Sequence, residues 1–178
     1  MTRYVAMLRG VNVGGRRVKM DALKEVFVAA GHEDVVTYVQ SGNVVFNATR
    51  SSEAKLVSSL QQAIADDLSL PVPVLVRTAA QLAAIMERNP FLGQADPAHL
   101  HVTFLDRVPA KPKVAALPGD GRLGADELRL VGREVYLHCP NGYGTTKLTN
   151  TFFEKKLAVT ATTRNWRSVG KLLELAGT

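Results

Sequence analysis

The sequence predicts an α+β protein made of two related halves, each of β-α-β-β-α type. Three observations carry this. Short β-branched and aromatic runs alternate with segments whose apolar residues recur at helical spacing. The order of these segments over residues 1–78 returns over residues 79–178. A chain of 178 residues with an apolar fraction of 46% can also bury a core unaided, so the single Cys139 need not belong to a disulfide framework.

The first half opens with an alternating strand over 3–9 and a loop over 10–19 that contains Gly and Arg. A helix follows over 20–30, with Leu23, Val26, Phe27 and Ala30 at i, i+3, i+4, i+7 spacing and Gly31 as its stop. Residues 34–40 and 43–48 flank Ser41-Gly42 and read as a hairpin. Ser51 is placed to cap a helix over 52–69, and 72–77 is the closing strand. The order β-α-β-β-α-β is the ferredoxin-like pattern.

In the second half Thr78 and Gln81 are spaced as a capping box, and Asn89-Pro90 ends the helix they start. Strands are expected at 100–107, 126–131 and 134–139, with a short helix at 110–117 and a longer one at 147–157. The stretch from Val108 to Gly124, with Pro109, Pro112, Pro118, Gly119 and Gly121, reads as a mobile connection. A last helix near 164–176 places Trp166, Val169, Leu173 and Ala176 on one core-facing side. The expected architecture is two ferredoxin-like subdomains packed together, 1–78 and 79–178, the second closed by C-terminal helices in place of a last strand.

Four segments carry more polar chemistry than their elements need. They are Arg9-Gly10-Val11-Asn12-Val13-Gly14-Gly15, Gln40-Ser41-Gly42-Asn43, Asn141-Gly142-Tyr143-Gly144-Thr145-Thr146-Lys147 and Thr162-Thr163-Arg164-Asn165-Trp166-Arg167-Ser168. In a ferredoxin-like half the end of the first strand and the turn between strands two and three share one sheet edge, so Arg9 and Asn12 are expected near Ser41 and Asn43. The glycine loop matches neither G-x-G-x-x-G nor the P-loop pattern, but Gly14-Gly15 can expose backbone N–H groups to an anion. A strand-to-helix turn at 141–147 offers N–H groups and Lys147 to a phosphate or carboxylate, with Tyr143 available to stack on a ring. Thr163 as a cap would put Arg164 and Asn165 in the first turn of the last helix, where a cation opposes the dipole and implies an anionic partner. The structural reading of the same residues is turns, caps and solvated arginines.

Enzyme constellations are sparse. His99 and His101 would share one face of a strand, without a Cys or carboxylate at ligand spacing, so they read as a solvated face and no metal site is expected. His138 and Cys139 are adjacent on a strand and face opposite ways, which excludes a nucleophile–base pair between them. Cys139 reads as a small buried hydrophobe. No G-x-S-x-G elbow is present, and no pattern names a cofactor. Arg9 interrupts the first apolar run too early for a signal peptide or a membrane span, so a cytoplasmic location is expected.

Together Arg9 to Gly15, Thr37-Tyr38-Val39-Gln40-Ser41-Gly42-Asn43-Val44-Val45-Phe46, Asn89-Pro90-Phe91 and Thr162-Thr163-Arg164-Asn165-Trp166 resemble the bacterial domain-of-unknown-function family DUF1697. The resemblance runs over almost the whole chain. It implies a compact α+β fold of two similar ferredoxin-like subdomains and supplies no reaction. Where the family pattern has Ser-Lys-Leu, this chain has Thr146-Lys147-Leu148, which keeps the hydroxyl. Cys139 is not part of the pattern.

Two functions are expected to compete. The first is binding of a small anionic ligand (nucleotide, phosphate or carboxylate) between the two subdomains, through Arg9, Asn12, Ser41, Asn43, Tyr143, Lys147, Arg164 and Asn165, with no complete catalytic set. The alternative is a weak nucleic-acid-binding module, motivated by a net charge of +6 and a ferredoxin-like sheet. Against the alternative, the charge is spread as +2 and +4 over the halves, and Tyr4, Tyr38 and Phe46 are lone aromatics on three different strands.

Overall fold

The computed structural model describes residues 1–15 and 17–177; Arg16, which the expected 10–19 loop includes, lies outside the described residues. Strand β1 (Thr2–Leu8) leads through the glycine loop to helix α1 (Met20–Ala29). Then come β2 (Glu33–Tyr38), β3 (Asn43–Ala48), α2 (Glu53–Leu68) and β4 (Val74–Thr78). The sheet runs β2-β3-β1-β4 and every neighbouring pair is antiparallel. Leu23 and Phe27 of α1 and Leu56, Leu60 and Ile64 of α2 share a core with Tyr4, Ala6 and Leu8 of β1 and Val44 and Phe46 of β3. The Phe27 and Tyr4 rings sit 5.1 and 5.7 Å from Phe46. Because strand side chains alternate, Val5, Met7, Val45 and Leu75 occupy the opposite face, and they too are buried.

Helix α3 (Ala79–Glu87) follows, then β5 (Leu100–Leu105), α4 (Lys111–Val114), β6 (Arg122–Leu123), β7 (Asp126–Val131) and β8 (Glu134–His138). The chain ends with α5 (Asn150–Leu157), β9 (Ala161–Asn165) and α6 (Trp166–Ala176). The second sheet runs β6-β7-β8-β5-β9, again antiparallel throughout. Leu105, Val135, Leu137 and Cys139 pack with Leu148, Phe153 and Leu157 over one of its faces. The chain divides into two compact units, one of Met1–Ala83 with the residues from Lys171 onward, the other of Ala84–Gly170. No described helix is long and apolar enough to cross a membrane.

The expected capping box forms in full: the Thr78 N–H donates to Gln81 Oε1 at 2.9 Å and the Gln81 N–H donates to Thr78 Oγ1 at 3.1 Å. Other boundaries move. Ser52, not Ser51, caps α2 by accepting from the Lys55 N–H at 3.3 Å, the spacing at which a cap reaches the third helical residue. The β2–β3 turn takes four residues, Val39 to Gly42, with Val39 at φ 50° and Gly42 at φ 77°.

The second sheet has a closing strand after all, since β9 occupies the stretch expected as loop and helix start. Thr162 and Thr163 are β-branched and pair with Phe104 and Thr103. Asn165 rather than Thr163 then caps α6, accepting from the Ser168 N–H at 2.8 Å. Trp166 is half-buried rather than a full core residue. The stretch expected as mobile is tied down: it holds α4 and β6, buries Leu117, and Gly121 O accepts from the Leu128 N–H at 2.8 Å and from the Arg129 guanidinium at 3.2 Å.

Candidate functional site

In the first unit the glycine loop and the β2–β3 turn meet at the end of β1. The Leu8 N–H donates to Gly42 O at 2.9 Å and the Arg9 N–H donates to Pro73 O at 3.0 Å, which fixes where the loop leaves the sheet. Asn12 then adopts a left-handed φ of 57°, a conformation Asn tolerates better than most residues. Its side-chain amide donates to Val18 O at 3.1 Å and Gln40 O at 2.5 Å, and its Oδ1 accepts from the Val18 N–H at 2.7 Å. One side chain thus closes the loop on itself and pins it to the turn. Asn43 is wholly buried and does the same for the turn, donating to Tyr38 O at 3.1 Å and Ser41 Oγ at 2.8 Å.

Between these walls lies a cavity of about 560 Å³ lined by Asn12, Gly14, Arg17, Val18, Lys19 and Gln40. Among the described residues, its lining holds two cations and two side-chain amides and no carboxylate. Helix α1 begins at the next residue, and its N-cap Lys19 makes no side-chain capping bond, so the N-cap residue leaves the positive end of the helix uncapped by its own side chain. Asp21 in the first turn offsets part of that field. Of the residues singled out from the sequence, Asn12 lines the cavity, while Arg9, Ser41 and Asn43 belong to the strand end and turn that frame it. Arg17 and Lys19 were not chosen from the sequence, and Gln40 was named only as part of the turn segment. Only the loop's own fold, which brings 17–19 back beside Asn12, makes them part of the same wall.

In the second unit the chosen residues take other roles. Arg164 lies in β9 rather than in a helix turn and is buried, donating to Thr162 Oγ1 at 2.7 Å and Thr163 O at 2.9 Å. Burial pulls its pKa down to about 10, with Tyr143 opposing slightly, so it stays charged at neutral pH. Lys147 is exposed and precedes α5, because Thr149 is the cap: its Oγ1 accepts from the Phe152 N–H at 3.1 Å. Buried Leu148 anchors the loop just before that cap, so the helix starts later than its apolar spacing suggested. Tyr143 stacks on a protein ring, that of His101, with centroids 4.7 Å apart and planes 23° apart.

His101 is the residue that sequence reasoning misplaced. His99 sits in a 3-10 turn, so only His101 is on β5, and it is buried rather than part of a solvated face. Burial lowers its pKa, with the His99 backbone pulling the other way, and its Nδ1 has no hydrogen-bond partner. Beside it on the same strand face, Thr103 and Thr163 share a hydrogen bond of 2.7 Å, and Thr163 Oγ1 donates to Asn150 Oδ1 at 2.7 Å. Cys139 is buried in the core, and its pKa is pushed up to about 11 mainly by burial, which leaves an inert thiol. Among the described residues, no group of three or more His, Cys, Asp or Glu side chains is placed to hold a metal ion.

The profile of a protein family of unknown function, DUF1697, matches residues 1–136. The chain belongs to the DUF1697 family. Within the DUF1697 match lie Arg9, Asn12, Ser41, Asn43 and the whole cavity lining, whereas Tyr143, Lys147, Arg164 and Asn165 lie beyond it. The chain is similar in fold to a solved structure described as conserved bacterial protein SP0830 from Streptococcus pneumoniae. The TM-score is 0.79 at 23% identity, over 100% of this chain and 99% of that one. Among curated proteins none matches this DUF1697 chain.

Proposed function

We propose that the protein binds a small anionic ligand, a phosphate- or carboxylate-bearing molecule, in the cavity between the glycine loop and the β2–β3 turn. The observation that carries this reading is the lining itself: Arg17 and Lys19 face one space with the amides of Asn12 and Gln40, with no acid among the described lining residues. A volume of about 560 Å³ suits a small molecule rather than a bare ion. The glycine at position 14 keeps one wall free of side chain, so backbone N–H groups can approach a bound oxyanion.

The β-α-β-β-α-β order and the β2-β3-β1-β4 sheet support reading the first unit as ferredoxin-like. They lend less to the nucleic-acid alternative. An RNA-recognition sheet presents open aromatics on the face away from its helices, and here that face carries buried Val5, Met7, Val45 and Leu75. A thermal-shift screen of phosphate, nucleoside monophosphates and small dicarboxylates tests the proposal. At least one class should stabilise the wild type, and the Arg17→Ala/Lys19→Ala double variant should lose that stabilisation. Stabilisation equal in both proteins would place the ligand elsewhere.

A further inference from the structure

The glycine-loop cavity has two unlike sides, and Asn12 stands between them. Its Nδ2 donates to Val18 O on one side and to Gln40 O on the other. The Val18 side brings both cations, Arg17 and Lys19, whose side chains are exposed and make no hydrogen bond or ion pair with any described residue. The Gln40 side is the β2–β3 turn, Val39-Gln40-Ser41-Gly42, which carries no charged side chain.

Val39 is the residue of that turn whose placement the fold does not require. It is β-branched, yet its φ of 50° is left-handed, a conformation that crowds Cβ against the following carbonyl and that Asn or Gly adopts at less cost. It is 48% exposed and lies outside the core cluster of the first sheet. The conformation is held from both flanks: Asn43 Nδ2 donates to Tyr38 O at 3.1 Å, and Asn12 Nδ2 donates to Gln40 O at 2.5 Å. Val13, between the lining residues Asn12 and Gly14, is 73% exposed. Backbone strain and exposed apolar surface are both local costs, and here they border one cavity, where contact with a bound apolar group would offset them.

We infer that the ligand of this cavity is an organic anion with an apolar group, its oxyanion held by Arg17 and Lys19 and its apolar group lying against Val39 and Val13. The inference rests on the oxyanion reading proposed above and narrows it. The volume of about 560 Å³ agrees, since it holds far more than a phosphate or carboxylate group alone. Two matched pairs test it by isothermal titration calorimetry: methyl against phenyl phosphate, and acetate against phenylacetate. In at least one pair the phenyl member should bind about tenfold more tightly, the scale of burying part of a ring. The pair that shows the preference identifies the oxyanion. Val39→Asn suits the left-handed backbone and so keeps the chain folded, while the phenyl preference should fall to about twofold or less as that apolar contact is lost. Val13→Ser should cut the preference as well. The Arg17→Ala/Lys19→Ala variant should weaken both members of the pair together. Equal binding within both pairs would overturn the inference and leave the oxyanion reading standing, and so would a preference that survives both Val39→Asn and Val13→Ser. Binding by none of the four probes, or binding that the Arg17→Ala/Lys19→Ala variant leaves unchanged, would overturn both.

Discussion

Asn12 donates its side-chain amide to the Gln40 backbone carbonyl at 2.5 Å, joining the loop after β1 to the turn between β2 and β3. The same side chain exchanges two hydrogen bonds with the Val18 backbone. Asn12→Gly keeps the left-handed φ accessible and deletes all three bonds, so it isolates the tether from the backbone strain. We expect a loss of roughly 1–3 kcal/mol in urea unfolding and faster amide exchange at Val18. Unchanged exchange at Val18 would show that the loop is held by something other than Asn12.

Gly42 approaches β1 closely: a Cβ there would stand 2.9 Å from Leu8 Cβ, on a backbone at φ +77° that L residues rarely adopt. Gly42→Ala should therefore destabilise by more than about 1 kcal/mol, through strain and contact together. Gly10→Ala is the control, with a φ of +72° and nothing within 4 Å of its Cβ. Equal losses in the two variants would mean that backbone conformation alone sets the cost.

These two residues also mark what the sequence made legible. The antiparallel order of the first sheet, the meeting of loop and turn, and the Thr78/Gln81 cap follow from local patterns, because propensity and capping act within a few residues. Strand β9 was illegible, since Thr162, Thr163, Arg164 and Asn165 are polar and their strand character comes from pairing with β5, distant in sequence. Arg164 looked like a helix-start cation for that reason, although its backbone is a sheet edge and its guanidinium is buried. The cavity lining escaped for a related reason: what places Arg17 and Lys19 beside Gln40 is the Asn12 tether, and side-chain-to-backbone bonds leave no periodic trace.

His101 and His32 both have pKa values lowered by burial from 6.5, so each stays neutral in the folded protein where the unfolded chain would bind a proton. Stability is then fully present above pH 6.5 and falls as the pH drops below that value towards the depressed folded pKa values. Urea midpoints should be lower at pH 5.5 than at pH 7.5, and His101→Gln should narrow the difference. A midpoint that rises on acidification would contradict the neutral, buried imidazole.

Cys139, buried and with its thiol pushed up to about 11, should resist a disulfide reagent at pH 8 in the native protein and react fully in urea. Cys139→Ala should cost about 1 kcal/mol, the scale of deleting one small buried group, and leave ligand binding untouched. Fast native modification would mean that the thiol is accessible and activated.

The most direct test of the account is a 1H–15N titration of the wild type with whichever anion the thermal screen identifies, read at the cavity of Arg17 and Lys19. The account predicts saturable shifts of the Gly14, Val18, Lys19 and Gln40 amides, abolished in the Arg17→Ala/Lys19→Ala variant. Saturable binding that leaves these four amides unmoved would contradict it.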